Sequence, residues 1–403
     1  MSWTTVRIGD HCEITSSKRI FLSDYVDAGI PFWRSKEVIE QENGQSISDP
    51  LFITHDKYEE IKNRFGVPKP GDMLLTSVGT IGIPFIVKST SPFYFKDGNL
   101  TWFRNFAVTL SSRYLYYWIK SNTGHQTLNN LTIGSSQKAL TIENLKNAKI
   151  PLPDLPTQRR IASILSAYDD LIENNRRQIK LLEEAAQRLY REWFVELRFP
   201  GHEGVKVVDG VPEGWMKGTV DNIVKLLSGY PFKSSEYVSS GKYRLITIKN
   251  VKDGEFSPDN VDYIDQLPDK VPSHCILTEG DILLSLTGNI GRVCIVNGYN
   301  YLLNQRVAKL QTLHPAYAYC MFRSKEMLNK MTALSNGVAQ QNLSPIRAEK
   351  IRILIPSSNL LSQFKNIVEP IISQIILLNN QITFACEARD RLLPELMDGE
   401  MEV

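Results

Sequence analysis

The sequence predicts an α+β protein: two α/β blocks in tandem pseudo-twofold repeat, separated by two long antiparallel coiled-coil helices. Three observations predict it. The chain is written twice. Each copy opens with short β-branched runs broken by Gly and turn residues. Each copy closes on a long stretch with heptad periodicity.

The repeat is read directly. Residues 69–87, KPGDMLLTSVGTIGIPFIV, align with 278–296, TEGDILLSLTGNIGRVCIV, at an offset of 209. Gly71-Asp72 falls on Gly280-Asp281, Gly79 on Gly288, and Ile81-Gly82 on Ile290-Gly291. SSQKALTIENLKNAKIPLP (135–153) then matches GVAQQNLSPIRAEKIRILIP (337–356), and Asn174-Asn175 matches Asn379-Asn380. The order of the blocks is the same in both halves, which means duplication.

The elements follow in order. Residues 1–153 form the first α/β block, closed by Pro151, Pro153 and Pro156. Residues 154–199 are helical, with a seam at Ile161, Leu165, Tyr168, Ile172, Asn175, Ile179, Leu182, Ala186, Leu189 and Trp193. Those spacings alternate between four and three, the mark of a coiled coil. Residues 200–215 link to the second α/β block, 216–356. A second helical stretch, 357–403, repeats the seam at Val368, Ile372, Ile375, Asn379, Ile382, Cys386, Arg389, Leu393 and Leu396. Asn175 and Asn379 are its polar members. They are expected to meet where the helices cross, fixing register at some cost in stability. Pro370 is expected to mark a helix start or a kink. About 40 helical residues span roughly 60 Å, enough for a rod that holds two domains apart. Apolar residues off the seam, Ile164, Leu171, Leu181, Tyr190 and Phe194, imply further packing partners.

Composition narrows the class. The net charge of +2 hides two basic blocks, +3 over 1–153 and +5 over 216–356, against an acidic tail of −4 over 357–403. Basic blocks of this kind suit a phosphate-bearing partner. No apolar run reaches the roughly 18 residues of a membrane span. The opening MSWTTVR carries no apolar signal core, so a cytoplasmic location is expected. The five cysteines are scattered without metal-ligand spacing, as expected of thiols in a reducing compartment.

Candidate binding residues lie on four loops that recur in matching order. On the Gly-x-Ile-Gly turns they are Ser77 and Thr80, then Thr287, Asn289 and Arg292. A second cluster is Asn304, Gln305 and Arg306, with the stretch 96–99, ending at Asn99, as its counterpart in the first half. Ahead of the last strand lie Gln137 and Lys138, then Gln340, Gln341 and Asn342. Early in each block come Lys18 and Arg19, then Tyr230 and Lys233. Asn and Gln pair bidentately with adenine, Arg with guanine, and short hydroxyls reach phosphates. A plain turn explains any one of these loops. Four in order, twice, with divergent side chains, point to one scaffold carrying two readers.

Catalytic signatures are missing. The Gly-Lys at Gly241-Lys242 lacks the rest of a phosphate loop. Glu60 and Lys62, downstream of Asp49 and Asp56, read as a solvated helix face rather than a nuclease site. The six histidines have no paired spacing, and no metal site is expected.

The string LPTQRRIASILSAYDDLIENNRRQIKLLEEAAQRLYREWFVE (155–196), the VPEGW at 211–215 and the closing LLPELMDGEMEV resemble the specificity subunits of type I restriction-modification enzymes. The resemblance covers the whole chain. It implies that the α/β blocks are target recognition domains, each reading half of a split site in double-stranded DNA. The helices would set the unread spacer and dock two methyltransferase subunits, with Leu165, Tyr168, Ile172, Asn175, Leu182, Leu189, Trp193, Ile375, Asn379, Ile382 and Leu393 serving packing or docking. S-adenosylmethionine would belong to the methyltransferase subunits. ATP and Mg²⁺ would belong to restriction subunits joining them. This chain would hold no cofactor and no catalytic centre. The alternatives are a specificity chain serving a fused methyltransferase-nuclease of type II, or a self-sufficient nuclease or methyltransferase.

Overall fold

The computed structural model describes residues 3–134, 138–335 and 342–401. The chain forms two compact units, one of residues 1–173 with 384–403, the other of 174–383. Each unit pairs one α/β block with one end of each long helix.

The first unit holds two four-stranded sheets. In the antiparallel one, the order is Glu13–Thr15, Leu100–Arg104, Met73–Thr76 and Pro84–Ile86. Met73–Thr76 is buried along its whole length, which is why its sequence is a short continuous apolar run rather than an alternation. The second sheet runs Tyr25–Val26, Leu51–Ile53, Ile30–Trp33, Tyr94–Phe95, with the last pair parallel. A separate ribbon joins Thr4–Arg7 to Lys149–Leu152.

The second unit rebuilds this plan from residues 209 or so further along. Its antiparallel sheet is Val224–Ser228, Val307–Thr312, Ile282–Ser285 and Val293–Ile295. Its mixed sheet contains the parallel pair Tyr243–Ile246 and Tyr301–Leu303, and its ribbon joins Met216–Thr219 to Arg352–Ile355. The copies differ in what lies between the matching strands Ile30–Trp33 and Tyr243–Ile246 of the mixed sheets and the buried strands Met73–Thr76 and Ile282–Ser285 that follow. The first unit inserts the helices Ser35–Glu42 and His55–Phe65, the second a hairpin of Val251–Lys252 with Glu255–Phe256.

The repeated Gly-Asp now has a physical account. Gly71 and Gly280 sit at φ +93° and +89°, which favours glycine. Each following Asp caps its turn: Asp72 Oδ2 accepts from Lys69 N at 3.0 Å, and Asp281 Oδ2 from Thr278 N at 2.8 Å. Each also takes a donor from the neighbouring strand, Trp102 Nε1 at 2.9 Å or Lys309 Nζ at 2.7 Å. Burial pushes the Asp72 carboxyl above its ordinary value despite those donors.

The first long helix, Leu155–Tyr190, starts at the Asp154 cap, whose carboxylate accepts from Thr157 N at 3.0 Å, and ends in a wider turn at Arg191–Val195. The second, Ser358–Met397, is a single helix of 40 residues. It therefore begins twelve residues before Pro370, which lies on its exposed side, and Pro370 marks no helix start. In the first unit, Ile161 and Leu165 share a core with Leu396 and Met397. In the second, Ala186, Tyr190, Trp193 and Phe194 share one with Leu360, Leu361, Phe364 and Val368. Start packs against end in both places, so the helices run antiparallel.

The seam residues differ in depth. Leu165, Ile172, Trp193 and Ile375 are buried, while Tyr168, Leu182, Leu189, Ile382 and Leu393 are half-buried. The two asparagines do not pair. Asn175 is 2% exposed and donates to Gln381 Oε1 at 3.1 Å, while Asn379 Nδ2 turns back to the Ile375 carbonyl at 3.0 Å. Antiparallel stagger places Gln381, not Asn379, opposite Asn175. Tyr190 and Phe194, off the seam, are covered within their own unit by Tyr317 and Phe364. Leu171 and Leu181 stay exposed, at 43% and 65%.

Polar clamps tie each α/β block to the helices. Arg389 Nη1 meets Asp169 Oδ1 at 2.7 Å, and Tyr117 donates to Asp169 Oδ2 at 2.6 Å. In the other unit Glu183 takes Tyr319 OH at 2.5 Å and the Arg323 guanidinium.

Candidate nucleic-acid interface

The Gly-x-Ile-Gly turns are built alike. Gly79 and Gly82 have φ +78° and +86°, Gly288 and Gly291 +73° and +84°. Gly82 N donates to the Thr76 carbonyl at 2.8 Å and Gly291 N to the Ser285 carbonyl at 3.0 Å. The tip side chains, Thr80 and Asn289, point out from the turns into solvent, and Arg292 is half-buried.

The four candidate loops of each unit are joined by hydrogen bonds into one continuous edge. In the first unit, Ser16 Oγ accepts from Gly98 N at 3.4 Å, the Asn99 carbonyl from Ser77 N at 2.8 Å, and the Ser77 carbonyl from Leu140 N at 2.9 Å. In the second, the Tyr230 carbonyl accepts from Gln305 N at 3.1 Å, the Arg306 carbonyl from Leu286 N at 3.1 Å, and the Leu286 carbonyl from Leu343 N at 2.9 Å. Residues far apart in sequence thereby line up along one side of each sheet. The bonding also assigns the counterpart of Arg306, which is Asn99.

Along the first edge Lys18, Arg19, Thr80 and Lys138 are exposed and Asn99 is half-buried. Along the second, Lys233, Asn289, Gln305, Arg306 and Asn342 are exposed and Tyr230 is half-buried. Arg306 holds φ +72°, a conformation that L side chains rarely adopt. Three candidates are taken up inside the fold. Ser77 Oγ lies 2.6 Å from Thr101 Oγ1, the Thr287 hydroxyl donates to Asn342 Oδ1 at 2.9 Å, and Asn304 Oδ1 accepts from Gln305 N at 2.7 Å. They shape the edge and offer little free surface. Gln137, Gln340 and Gln341 lie outside the described residues.

The first edge borders a small polar pocket lined in part by Arg64, Trp102 and Arg104, none of which stands in the repeated loop motifs. Among the described residues no group of three or more His, Cys, Asp or Glu could hold a metal ion, and no helix is long and apolar enough to cross a membrane.

Comparison with known proteins agrees with this architecture. The family model of the type I restriction modification DNA specificity domain matches residues 1–184 and again 212–384. The MjaIX type I restriction enzyme specificity subunit of Methanocaldococcus jannaschii is 28% identical over 417 residues, spanning 100% of this chain and 94% of the relative. The MjaVIII specificity subunit of the same organism is 25% identical over 299 residues, 70% of this chain and 63% of the relative. In fold, the chain is similar to the crystal structure of the type I restriction-modification S subunit from M. genitalium, with TM-score 0.61, 16% identity, and coverage of 98% of this chain and 96% of that one. Two copies of one α/β scaffold, a polar edge on each, and a family match to both halves lead to one statement: the chain belongs to the type I restriction-modification DNA specificity family.

Proposed function

We propose that each α/β block reads one half of a bipartite site in double-stranded DNA, and that the long helices set the unread spacer between the halves. The observation carrying this reading is the same hydrogen-bonded edge built twice with different side chains: Thr80, Ala139 and Asn99 against Asn289, Asn342 and Arg306. A shared scaffold with divergent edges suits two different half-sites, since side chains on an edge specify bases while the backbone positions them. Candidate readers are the exposed Gln305 and Arg306, Asn289, Lys138 and Thr80, with Lys18, Arg19 and Lys233 suited to phosphates.

The helices also dock two methyltransferase subunits, through apolar side chains that their own units leave uncovered, such as Leu171, Leu181, Leu377 and Phe384. The methyltransferase subunits supply S-adenosylmethionine chemistry, and restriction subunits using ATP and Mg²⁺ join through them. This chain contributes address and assembly, in the cytoplasm, and no catalytic step.

Methylation-aware single-molecule sequencing of DNA from cells expressing this chain with its methyltransferase tests the reading. A modified motif of two short blocks around a fixed gap is expected. A contiguous motif, or none with every subunit present, refutes it.

A further inference from the structure

The pocket beside the first edge has a volume of about 220 Å³. Its lining is mostly polar, with Lys18, Arg64 and Arg104 set among the rings of Phe65, Tyr94 and Trp102. The Arg104 guanidinium stacks on Trp102 at 4.4 Å from the ring centroid. The Lys18 ammonium and the Arg64 guanidinium lie over the Phe65 ring at 4.7 and 5.2 Å. Tyr94 is also in the lining, and its hydroxyl accepts from Lys18 N at 2.6 Å. The hydroxyls of Thr15 and Ser16 complete the lining.

Arg104 is only partly satisfied. Nη1 donates to the Phe65 carbonyl at 3.0 Å and Nη2 to Glu13 Oε1 at 2.6 Å, while Nε is buried without a partner. A guanidinium has five donors and two are used here, so Arg104, whose side chain is 23% exposed, keeps donors on Nη1 and Nη2 for a further acceptor, whereas the buried Nε is closed to one. Glu13 takes one edge of Arg104 and Glu60 pairs with Arg64 at 3.3 Å, but no described carboxylate lies in salt-bridge range of Lys18. Of the residues that line the pocket itself, three are cationic and none is acidic, while Glu13, Glu60, Asp72 and Asp97 stand behind them.

The second copy shows that the scaffold does not require this arrangement. The cross-strand pair Glu13 with Arg104 becomes Lys225 with Gln311, and the place of Trp102 opposite the buried strand is taken by Lys309. The same sheet therefore folds without the pocket's chemistry, which argues for a ligand rather than for stability.

We propose that this pocket binds one backbone phosphate of DNA. The proposal rests on the DNA-reading function given above. The pocket is smaller than the roughly 300–1,000 Å³ usual for whole small-molecule ligands. It suits a compact anionic group projecting from a larger molecule. Guanidinium and ammonium donors beside hydroxyls are the chemistry that holds phosphate. Its wall includes Ser16, whose side chain belongs to the edge itself, so the phosphate would flank bases lying along that edge.

The test uses the full chain assembled with its methyltransferase subunits, and duplexes carrying its modified motif. Binding is measured against salt for wild type, Arg104→Gln and Lys18→Gln. Gln is the residue the second copy carries in the Arg104 position, and Lys18 is exposed, so both variants should fold; thermal unfolding checks this. Each variant should bind about tenfold more weakly. Each should flatten the slope of log K against log salt by about 0.9. The preferred motif should not change. A scan with single neutral methylphosphonates should find one position that weakens wild type and leaves Arg104→Gln indifferent. Unchanged affinity and slope in both folded variants overturn the proposal. So does a changed base preference with an unchanged slope, which would make these residues base readers. Inorganic phosphate bound by wild type and lost in Arg104→Gln, with DNA binding intact, would assign the pocket to a free phosphate compound instead. Failure of the wild-type complex to bind any duplex would bring down the DNA-reading function, a result distinct from failure of the variants alone.

Discussion

Replacing Arg323 by Met should destabilise the second unit in a pH-dependent way. Arg323 bonds Glu183, donates from Nη1 to the Tyr319 hydroxyl at 2.8 Å, and donates from Nε to Asp253 Oδ1 at 3.1 Å. The Arg323 and Glu183 side chains are 12% and 10% exposed, so solvent cannot compensate for a lost partner. Breaking a buried pair by removing one member typically costs about 3–5 kcal/mol. Here a ceiling applies, because Glu183 can take a proton. Protonating a carboxyl of ordinary pKa at pH 7 costs about 3.7 kcal/mol at 1.36 kcal/mol per pH unit. Burial already raises the Glu183 pKa in the wild-type protein, which lowers the ceiling further. The expected loss at pH 7 is therefore about 2–4 kcal/mol. The sign follows from proton counting. The variant's native state holds a proton on Glu183 that the unfolded chain releases, so its deficit relative to wild type shrinks as pH falls toward the ordinary carboxyl range and grows as pH rises. Hydrogen exchange of the helix Pro315–Phe322 in the full chain, at several pH values, reads this unit alone. Adding Glu183→Gln to the variant should abolish the pH dependence. A deficit below about 1 kcal/mol, or one independent of pH in the single variant, would refute the reasoning.

Four further outcomes are expected. Gln305→Ala or Arg306→Ala should shift preference within one half-site by about 1–3 kcal/mol and leave the other half intact, measured by binding to a panel of substituted duplexes. Adding about four residues to the first long helix should lengthen the gap in the methylated motif, read by the same sequencing as above; an unchanged gap would remove the helices from the role of ruler. Gly291→Ala should cost more stability than Gly82→Ala in denaturant titrations, because both sit near φ +85° but a new Cβ at 291 meets Leu328 Cδ1 at 2.5 Å, against 3.7 Å from Leu128 at 82. Thiol alkylation followed by mass spectrometry should spare Cys12, Cys294 and Cys320 in the native protein near neutral pH; burial pushes Cys12 up to about 12 and holds the other two thiols protonated as well.

Much of the fold was legible because duplication prints the same constraints twice. Gly71-Asp72 and Gly280-Asp281 could be matched by eye, and both proved to be capped turns needing positive φ. The heptad seams located the long helices for the same reason. Register was not legible. A polar residue at a seam position says that something polar faces it, but the stagger of an antiparallel pair decides what, and Gln381 lies off the heptad seam of its helix. Of the candidate edge, the sequence yielded the loops but not the orientation of their side chains. A hydroxyl on a turn reads the same whether it faces solvent, as Thr80 does, or a neighbouring strand, as Ser77 does. The phosphate pocket was hidden for another reason. Its residues come from three distant stretches, 15–18, 64–65 and 94–104, and no spacing rule connects them.

The first unit is discontinuous in sequence, and this bears on how the protein is made. Leu396 and Met397 are fully buried in the core that contains Tyr114, Leu115, Ile161 and Leu165. A nascent chain emerging from the ribosome delivers the start of that core early and completes it only once residues 396 and 397 have emerged. The second unit, by contrast, is a continuous segment and has all its residues in hand while the first still waits. Domains generally fold as units during synthesis. Translation should therefore leave the N-terminal block incompletely packed until the C-terminal turns of the last helix dock, and a truncation near residue 390 should damage the half of the molecule synthesised first.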